Sequence, residues 1–261
     1  MSLQNMLDKI DKLQSEIKAL PQLTECEKNR FDENFVVNYT YNSNAIEGNS
    51  MTQFETALII MEGVTINKKS IREHLEIIGH KQAFDYVVEI SRNRSPLTER
   101  TIKDIHTMVL VDQPTHRGVY RTANVIIGGA NDIPPHALQV SQHMTDLLDA
   151  YALDTRHPIV RIADFHILFE RVHPFSDGNG RTGRLIMNLE LIKFGFQPID
   201  VKYTDRTKYI QCFKDFEEKR NSNMFIEMVA RYEIEELESL LDILVERKKV
   251  IEHRAALGEE S

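Results

Sequence analysis

This chain of 261 residues is short of cysteine, of long apolar runs, of positive charge and of β-type sequence, and each shortage excludes something. Cys26 and Cys212 are its two cysteines, far apart and without C-x-x-C or Cys/His ligand spacing, so neither a disulfide framework nor a zinc ribbon is expected. Both are expected as free thiols. No apolar run approaches the roughly 20 residues of a membrane-spanning helix, and Met1 to Leu20 carries acids and lysines where a signal peptide would be apolar. The expected location is therefore cytoplasmic, with no membrane partner. A formal net charge of -8 argues against general binding to a nucleic-acid backbone. Low-complexity tracts and internal repeats are missing too, so the fold must be argued from helices.

Helical start signals follow one another along the chain. Ser2 precedes an amphipathic run to Leu20, closed by Pro21; Thr24 with Glu27, Thr52 with Glu55 and Ser70 with Glu73 form capping boxes. Ser95-Pro96 marks a boundary, after which Thr98 caps TERTIKDIHTMVL. Further runs follow: HALQVSQHMTDLLDAYA, then a helix opened by His157-Pro158 that turns Ile159, Ile162, Phe165 and Phe169 inward, then one with Leu185, Ile186, Leu189 and Ile192 on its buried face. Thr204 is expected to cap TDRTKYIQCFKDFEEKR, and a long amphipathic helix spans about 224–251. His74, His80, His106, His143 and His166 fit these patterns as packed or surface residues, Asp164 and Glu170 as surface acids. The one β-type stretch is 117–136: β-branched Val125 to Ile127, a turn signal from Gly128 to Asn131, and Ile133 leading into Pro134-Pro135. It is expected to form a hairpin whose open edge pairs with an extended peptide.

The chemistry is concentrated in His173 to Arg184, HPFSDGNGRTGR, a polar loop between two apolar-periodic runs that feeds a helix. A helix N-terminus with free N–H groups, approached over glycine, suits phosphate. Asp177 is a hard oxygen ligand fit for magnesium, and Asn179 can donate to a phosphate oxygen. Arg181 and Arg184, three apart, share a helix face and can grip successive phosphates. His173 can take a proton from an attacking hydroxyl; Phe175 reads as an apolar plug. An EF-hand fails because Arg181 stands at a ligand position counted from Asp177, and a P-loop fails because Gly178 and Gly183 are followed by Arg184 and Leu185 rather than lysine and a hydroxyl residue.

With these residues the chain resembles Fic-domain proteins, whose H-P-F-x-[DE]-G-N-G-R-x-x-R signature is matched at every fixed position. The resemblance implies an all-α, Fic-type helical bundle with a small β-hairpin flap, and a protein adenylyltransferase that moves AMP from ATP to a Ser, Thr or Tyr hydroxyl. By position it makes His173 the general base and Asp177 the ligand of Mg2+. Gly178, Asn179, Gly180, Arg181, Gly183 and Arg184 become the nucleotide-binding set, and Val125, Ile126, Ile127, Gly128 and Ile133 the target-docking flap. It also suggests Tyr203 or Tyr209 beside the adenine.

A second motif lies upstream. The helix opened by Thr24 is expected to finish near Glu47 with Gly48 as its cap. A carboxylate there opposes the helix dipole and needs a positive partner; Ser43, four residues earlier, shares its face. SNAIEGN resembles the family's inhibitory motif, [ST]-x-x-x-E-[GN], on Ser43, Glu47 and Gly48, which implies that Glu47 pairs with Arg184 and blocks the γ-phosphate position. Because this element precedes the core, the arrangement is that of the family's second class. The expected organisation is an N-terminal helical region at 1–95 carrying the inhibitory helix at about 24–48, a catalytic core at 96–200, and C-terminal helices at 201–261 that pack on the core or form an interface. The expected partners are ATP and a target protein, with self-modification (at hydroxyl residues such as Ser43, Tyr120 and Thr122, which nothing ranks) and a homo-oligomer left open. So are another nucleotide or phosphate donor, removal of AMP, and a non-enzymatic nucleotide sensor, against which the retained His173 argues.

Overall fold

A computed structural model of the chain describes residues 1–127 and 132–257. Its main elements in order are α1 (Leu3–Lys18), α2 (Glu25–Ile46), α3 (Gln53–Ala57), α4 (Ile71–Ser91), α5 (Glu99–Val109), α6 (Val140–Leu153), α7 (Pro158–Val172), α8 (Asn179–Lys193), α9 (Arg206–Lys219) and α10 (Asn223–Leu257). The start signals act where expected. Ser2 and Thr98 accept the backbone N–H three residues on, and Thr24, Thr52 and Ser70 form complete capping boxes with Glu27, Glu55 and Glu73, each cap contributing about 1 kcal/mol. Thr204 does not cap α9. It sits inside a short 3-10 turn, Tyr203–Asp205, and Asp205 precedes the helix with its carboxylate turned to Tyr232 and Lys208.

The helix α8 is the axis of the molecule, packed against α4, α5 and α7 and touched at its start by α2. Every residue from Arg181 to Leu191 is buried, so a single buried face is too narrow a description, and Ile192 is only half-buried. Two of the enclosed polar residues are fully paired. Asn188 exchanges hydrogen bonds with the Ile199 backbone at 2.8 and 3.0 Å, and Glu190 accepts from Tyr151 at 2.8 Å and Lys193 at 2.6 Å; unpaired, each would cost about 1–3 kcal/mol. The approach of α4 to α5 depends on Gly79, where a Cβ would stand 2.4 Å from the Met108 carbonyl oxygen. Away from this centre, α1 buries Leu7, Ile10, Leu13 and Ile17 and packs on α10, each such side chain contributing roughly 1.5–3 kcal/mol when fully buried.

The expected hairpin is not formed: among the described residues there is no strand. Residues 119–127 and 132–136 are held by side chains instead. The Arg121 guanidinium donates to the carbonyls of Ala123, Pro135 and His173, and Asn124 accepts from the Ala137 N–H. Pro134 and Pro135 have no N–H to give a ladder, so side-chain donors replace it. The expected turn, including Gly128, lies outside the described residues.

Candidate active site

The polar loop starts where α7 is forced to stop. His173 takes a left-handed conformation, φ 50 and ψ 59, and its N–H closes the helix on Phe169 at 3.0 Å. Phe175 then plugs the core fully buried, its ring stacked on His106 at 3.6 Å. Asn179 folds back on that plug, its amide donating to the Phe175 carbonyl and accepting the Phe175 N–H, both at 2.9 Å. The amide expected on a phosphate thus braces the loop. Gly178, at φ 74, opens α8 in a conformation that favours glycine.

The two histidines are fixed differently. His106 accepts the Gly118 N–H on Nδ1 at 2.8 Å, which leaves Nε2–H to donate to the Asp177 carbonyl at 3.0 Å; burial pushes its pKa down to about 4. His173 Nδ1 lies 3.3 Å from the Glu170 carbonyl, and donation there leaves Nε2 with a free lone pair. Burial also lowers His173 below its ordinary value, assisted by Arg121 and opposed by the Glu170 carbonyl and the charges of Glu47 and Asp177. At neutral pH it is an uncharged base.

Charges flank the start of α8. Asp177 accepts from Arg72 and Gln113, both at 3.0 Å, and from the Gly178 N–H at 2.6 Å. Burial raises its pKa, but Arg181, that N–H, Gln113 and Arg72 together outweigh it and hold the carboxylate ionised. Arg181 is buried, with Glu76 at 3.4 Å and Asp177 at 3.6 Å, and its Nε has no hydrogen-bond partner. Arg184 is buried completely. Its Nε donates to Ser43 Oγ at 3.0 Å, its Nη2 to the Ser43 carbonyl and to Glu47 Oε1 at 2.8 Å each, and its Nη1 reaches the Tyr209 hydroxyl at 3.4 Å. Glu47 is therefore on Arg184, as the resemblance implied, and Ser43 from the preceding turn joins it there, while Gly48, at φ 98, turns the chain away from α2. Gly180 makes room for the pair, since a Cβ there would stand 2.2 Å from Glu47 Oε1.

These groups open onto a cleft of about 220 Å³ whose walls include Glu47, Ile127, His173, Gly180, Arg184, Tyr209 and Phe213. Of the expected flap residues, Ile127 faces the cleft, Val125 is half-buried beside it, and Ile126 and Ile133 are exposed. Tyr203 instead lies partly exposed, with its N–H bonded to Asn42. Glu170, expected as a surface acid, also lines the cleft; its Oε1 is buried without a partner, and burial together with the Glu47 charge pushes its pKa up to about 8. Its place in the last turn of α7, three residues before His173, was the available signal. For Arg72 and Gln113, whose contacts to Asp177 span 105 and 64 residues, the sequence offered none.

Among the described residues no group of three or more His, Cys, Asp or Glu side chains can hold a metal. Asp177 alone fits magnesium arriving with a nucleotide, since that ion needs only one or two carboxylates besides waters and phosphates.

Comparisons with known proteins agree with this geometry. The Fic/DOC family model matches residues 96–191. The protein adenylyltransferase Fic of Nematostella vectensis is 35% identical over 213 residues, covering 80% of this chain and 49% of that protein. The protein adenylyltransferase fic-1 of Caenorhabditis elegans is 32% identical over 208 residues, 78% of this chain and 41% of that one. The chain thus spans about half or less of the length of these curated relatives. Among solved structures, Fic-1 from C. elegans superposes with a TM-score of 0.79 at 28% identity over 92% of this chain and 71% of that one. A Fic-domain-containing signaling protein from Bacteroides thetaiotaomicron, at 24% identity, shares the fold with a TM-score of 0.83 over 97% of this chain and 98% of its own. The helical bundle built around the His173 to Arg184 loop is a Fic fold, and the chain belongs to the Fic/DOC family.

Proposed function

We propose that the protein transfers AMP from ATP to a Ser, Thr or Tyr hydroxyl of a target protein and is held back by its own helix α2. The observation that carries this reading is the convergence of an uncharged His173, Gly180 and the buried Arg184 on one cleft, with Glu47 bonded to the arginine. His173 Nε2 takes the hydroxyl proton, the oxygen attacks the α-phosphorus, and the bond to the β-phosphate bridging oxygen breaks to release pyrophosphate. His173 then returns the proton to solvent. Arg181 and Arg184 bind the β- and γ-phosphates, and the free N–H groups at the start of α8 donate to phosphate oxygens. Asp177 would hold magnesium, which neutralises charge on the leaving pyrophosphate. The exposed Ile126 and Ile133 beside the cleft offer the target an extended apolar contact.

While Glu47 occupies Arg184, the γ-phosphate is denied its guanidinium and ATP cannot present its α-phosphate for in-line attack. The inhibitory element precedes the core, as in the second class of the family. The relatives named protein adenylyltransferase support the reaction type. The experiment is transfer from α-labelled ATP with magnesium, scored as protein-bound label. Strong label with Glu47→Gly, weak label with wild type and none with His173→Ala are expected. No label in any variant, with ATP binding measured by calorimetry, would overturn AMP transfer.

A further inference from the structure

Arg184 has two sets of partners, one from α2 and one from α9. Ser43 and Glu47 lie on or at the end of α2; the Tyr209 hydroxyl, 3.4 Å from Nη1, lies on α9. Tyr209 is buried, and burial, the largest influence on it, raises its pKa further from neutrality, so its hydroxyl keeps its proton. That hydroxyl accepts from the guanidinium and must give its own proton elsewhere. The acceptor is His166 Nε2 at 2.7 Å. His166 can accept because burial, together with the Arg184 charge, pushes its pKa down to about 3. A buried Nδ1–H and the buried Glu170 Oε1 then both lie beside Gly183, one turn within the same helix as Gly180: a Cβ at Gly183 would meet Glu170 Oε1 at 2.5 Å and His166 Nδ1 at 3.1 Å.

We propose that Tyr209 and His166 are positioning residues that hold the Arg184 guanidinium aimed into the cleft once Glu47 has withdrawn, and so set the preference for a nucleoside triphosphate over a diphosphate. The assignment rests on the reading of Arg184 as the γ-phosphate ligand. With α2 in place, Ser43 and Glu47 supply three contacts and Tyr209 is redundant. With Glu47 withdrawn, Ser43 still holds Nε and Nη2, and the Tyr209 hydroxyl is the one partner of Nη1 among the described residues. The Tyr209 ring also lies under the guanidinium at 5.7 Å, a contact that phenylalanine keeps. Tyr209→Phe therefore removes the hydroxyl alone.

The test is calorimetric titration of ATP and of ADP, each with magnesium, into the Glu47→Gly/His173→Ala protein, in which turnover is blocked. Adding Tyr209→Phe is expected to weaken ATP by about tenfold, the loss of one hydrogen bond to a charged group, and ADP by less than about twofold. His166→Leu should behave as Tyr209→Phe does, and His166→Gln, which restores an acceptor, should recover ATP binding; melting curves identify any variant that fails to fold. With Glu47 intact, Tyr209→Phe should leave the ATP to ADP ratio unchanged. Equal weakening of both nucleotides would assign Tyr209 to cleft packing and overturn the proposal, as would no weakening of either. If the Glu47→Gly/His173→Ala parent itself binds ATP no better than ADP, the phosphate reading of Arg184 falls, and the positioning role with it.

Discussion

Of the ion pairs that tie the N-terminal helices to the start of α8, two at opposite ends are built in opposite ways. At one end Arg184 is enclosed, its side chain 1% exposed, and fully engaged by α2 and Tyr209, with Glu47 38% exposed at the edge. At the other end Arg72 of α4 reaches Asp177 from a side chain that is 56% exposed, against 37% for the acid. A buried guanidinium cannot be left unpaired without a cost of several kcal/mol, so Arg184 must exchange one anion for another. An exposed pair contributes about 0–1 kcal/mol and is screened by salt, so Arg72 can leave Asp177 freely. One contact has the physics of a switch and the other that of a loose cover.

The largest expected effect comes from His173, the proposed base, which stands between the two ends. His173→Ala in the Glu47→Gly background should lower transfer by roughly 10²- to 10⁴-fold with ATP affinity little changed in calorimetry. The acid limb of the pH–rate profile should have its midpoint below 6.5, because burial depresses His173. Next is His106, which supports the Asp177 end from below. Its native pKa of about 4 against an ordinary 6.5 means that its stabilisation is complete above 6.5 and is lost as pH falls from 6.5 to about 4, a contribution of about 3 kcal/mol. Urea unfolding across that window should show a shallower pH slope for His106→Gln than for wild type. Third, breaking the enclosed contact with Glu47→Gly should raise transfer roughly 5- to 150-fold, the usual size of such couplings; an unchanged rate would remove the switch from the Arg184 end. Smallest is Arg72→Gln. It should change stability by less than about 1 kcal/mol, and the magnesium dependence of ATP binding, followed by calorimetry, should shift most at low salt and least at high salt.

The legible parts of this chain were local. The caps at Ser2, Thr24, Thr52, Ser70 and Thr98 were readable because a cap is made within four residues. The pairing of Glu47 with Arg184 was anticipated from a carboxylate at the wrong end of a helix dipole and from a motif, and the structure has that contact at 2.8 Å. The hairpin was misread because β-branched residues and turn signals describe backbone preference, while Arg121, Asn124 and two prolines decided how the segment was held. The bracing of Phe175 by Asn179 was not read from the sequence for a similar reason: an amide can serve the loop as well as a ligand, and residue type does not say which.

What the sequence by itself determined is the set of candidate site residues, their order, the helices that carry them and the start of α8 as the place where they meet, because each of these follows from neighbours in the chain. Which groups surround them was decided only by tertiary structure. Arg72 and Gln113 on Asp177, His106 under the loop, Glu170 in the cleft, and Tyr209 with His166 behind Arg184 come from other helices or other turns. Burial then fixed what they can do, removing water from imidazoles and carboxyls so that His166 and His106 stay neutral and Glu170 holds its proton to a pKa of about 8. Periodicity in a sequence gives no measure of that enclosure, because it depends on how five helices close around a sixth.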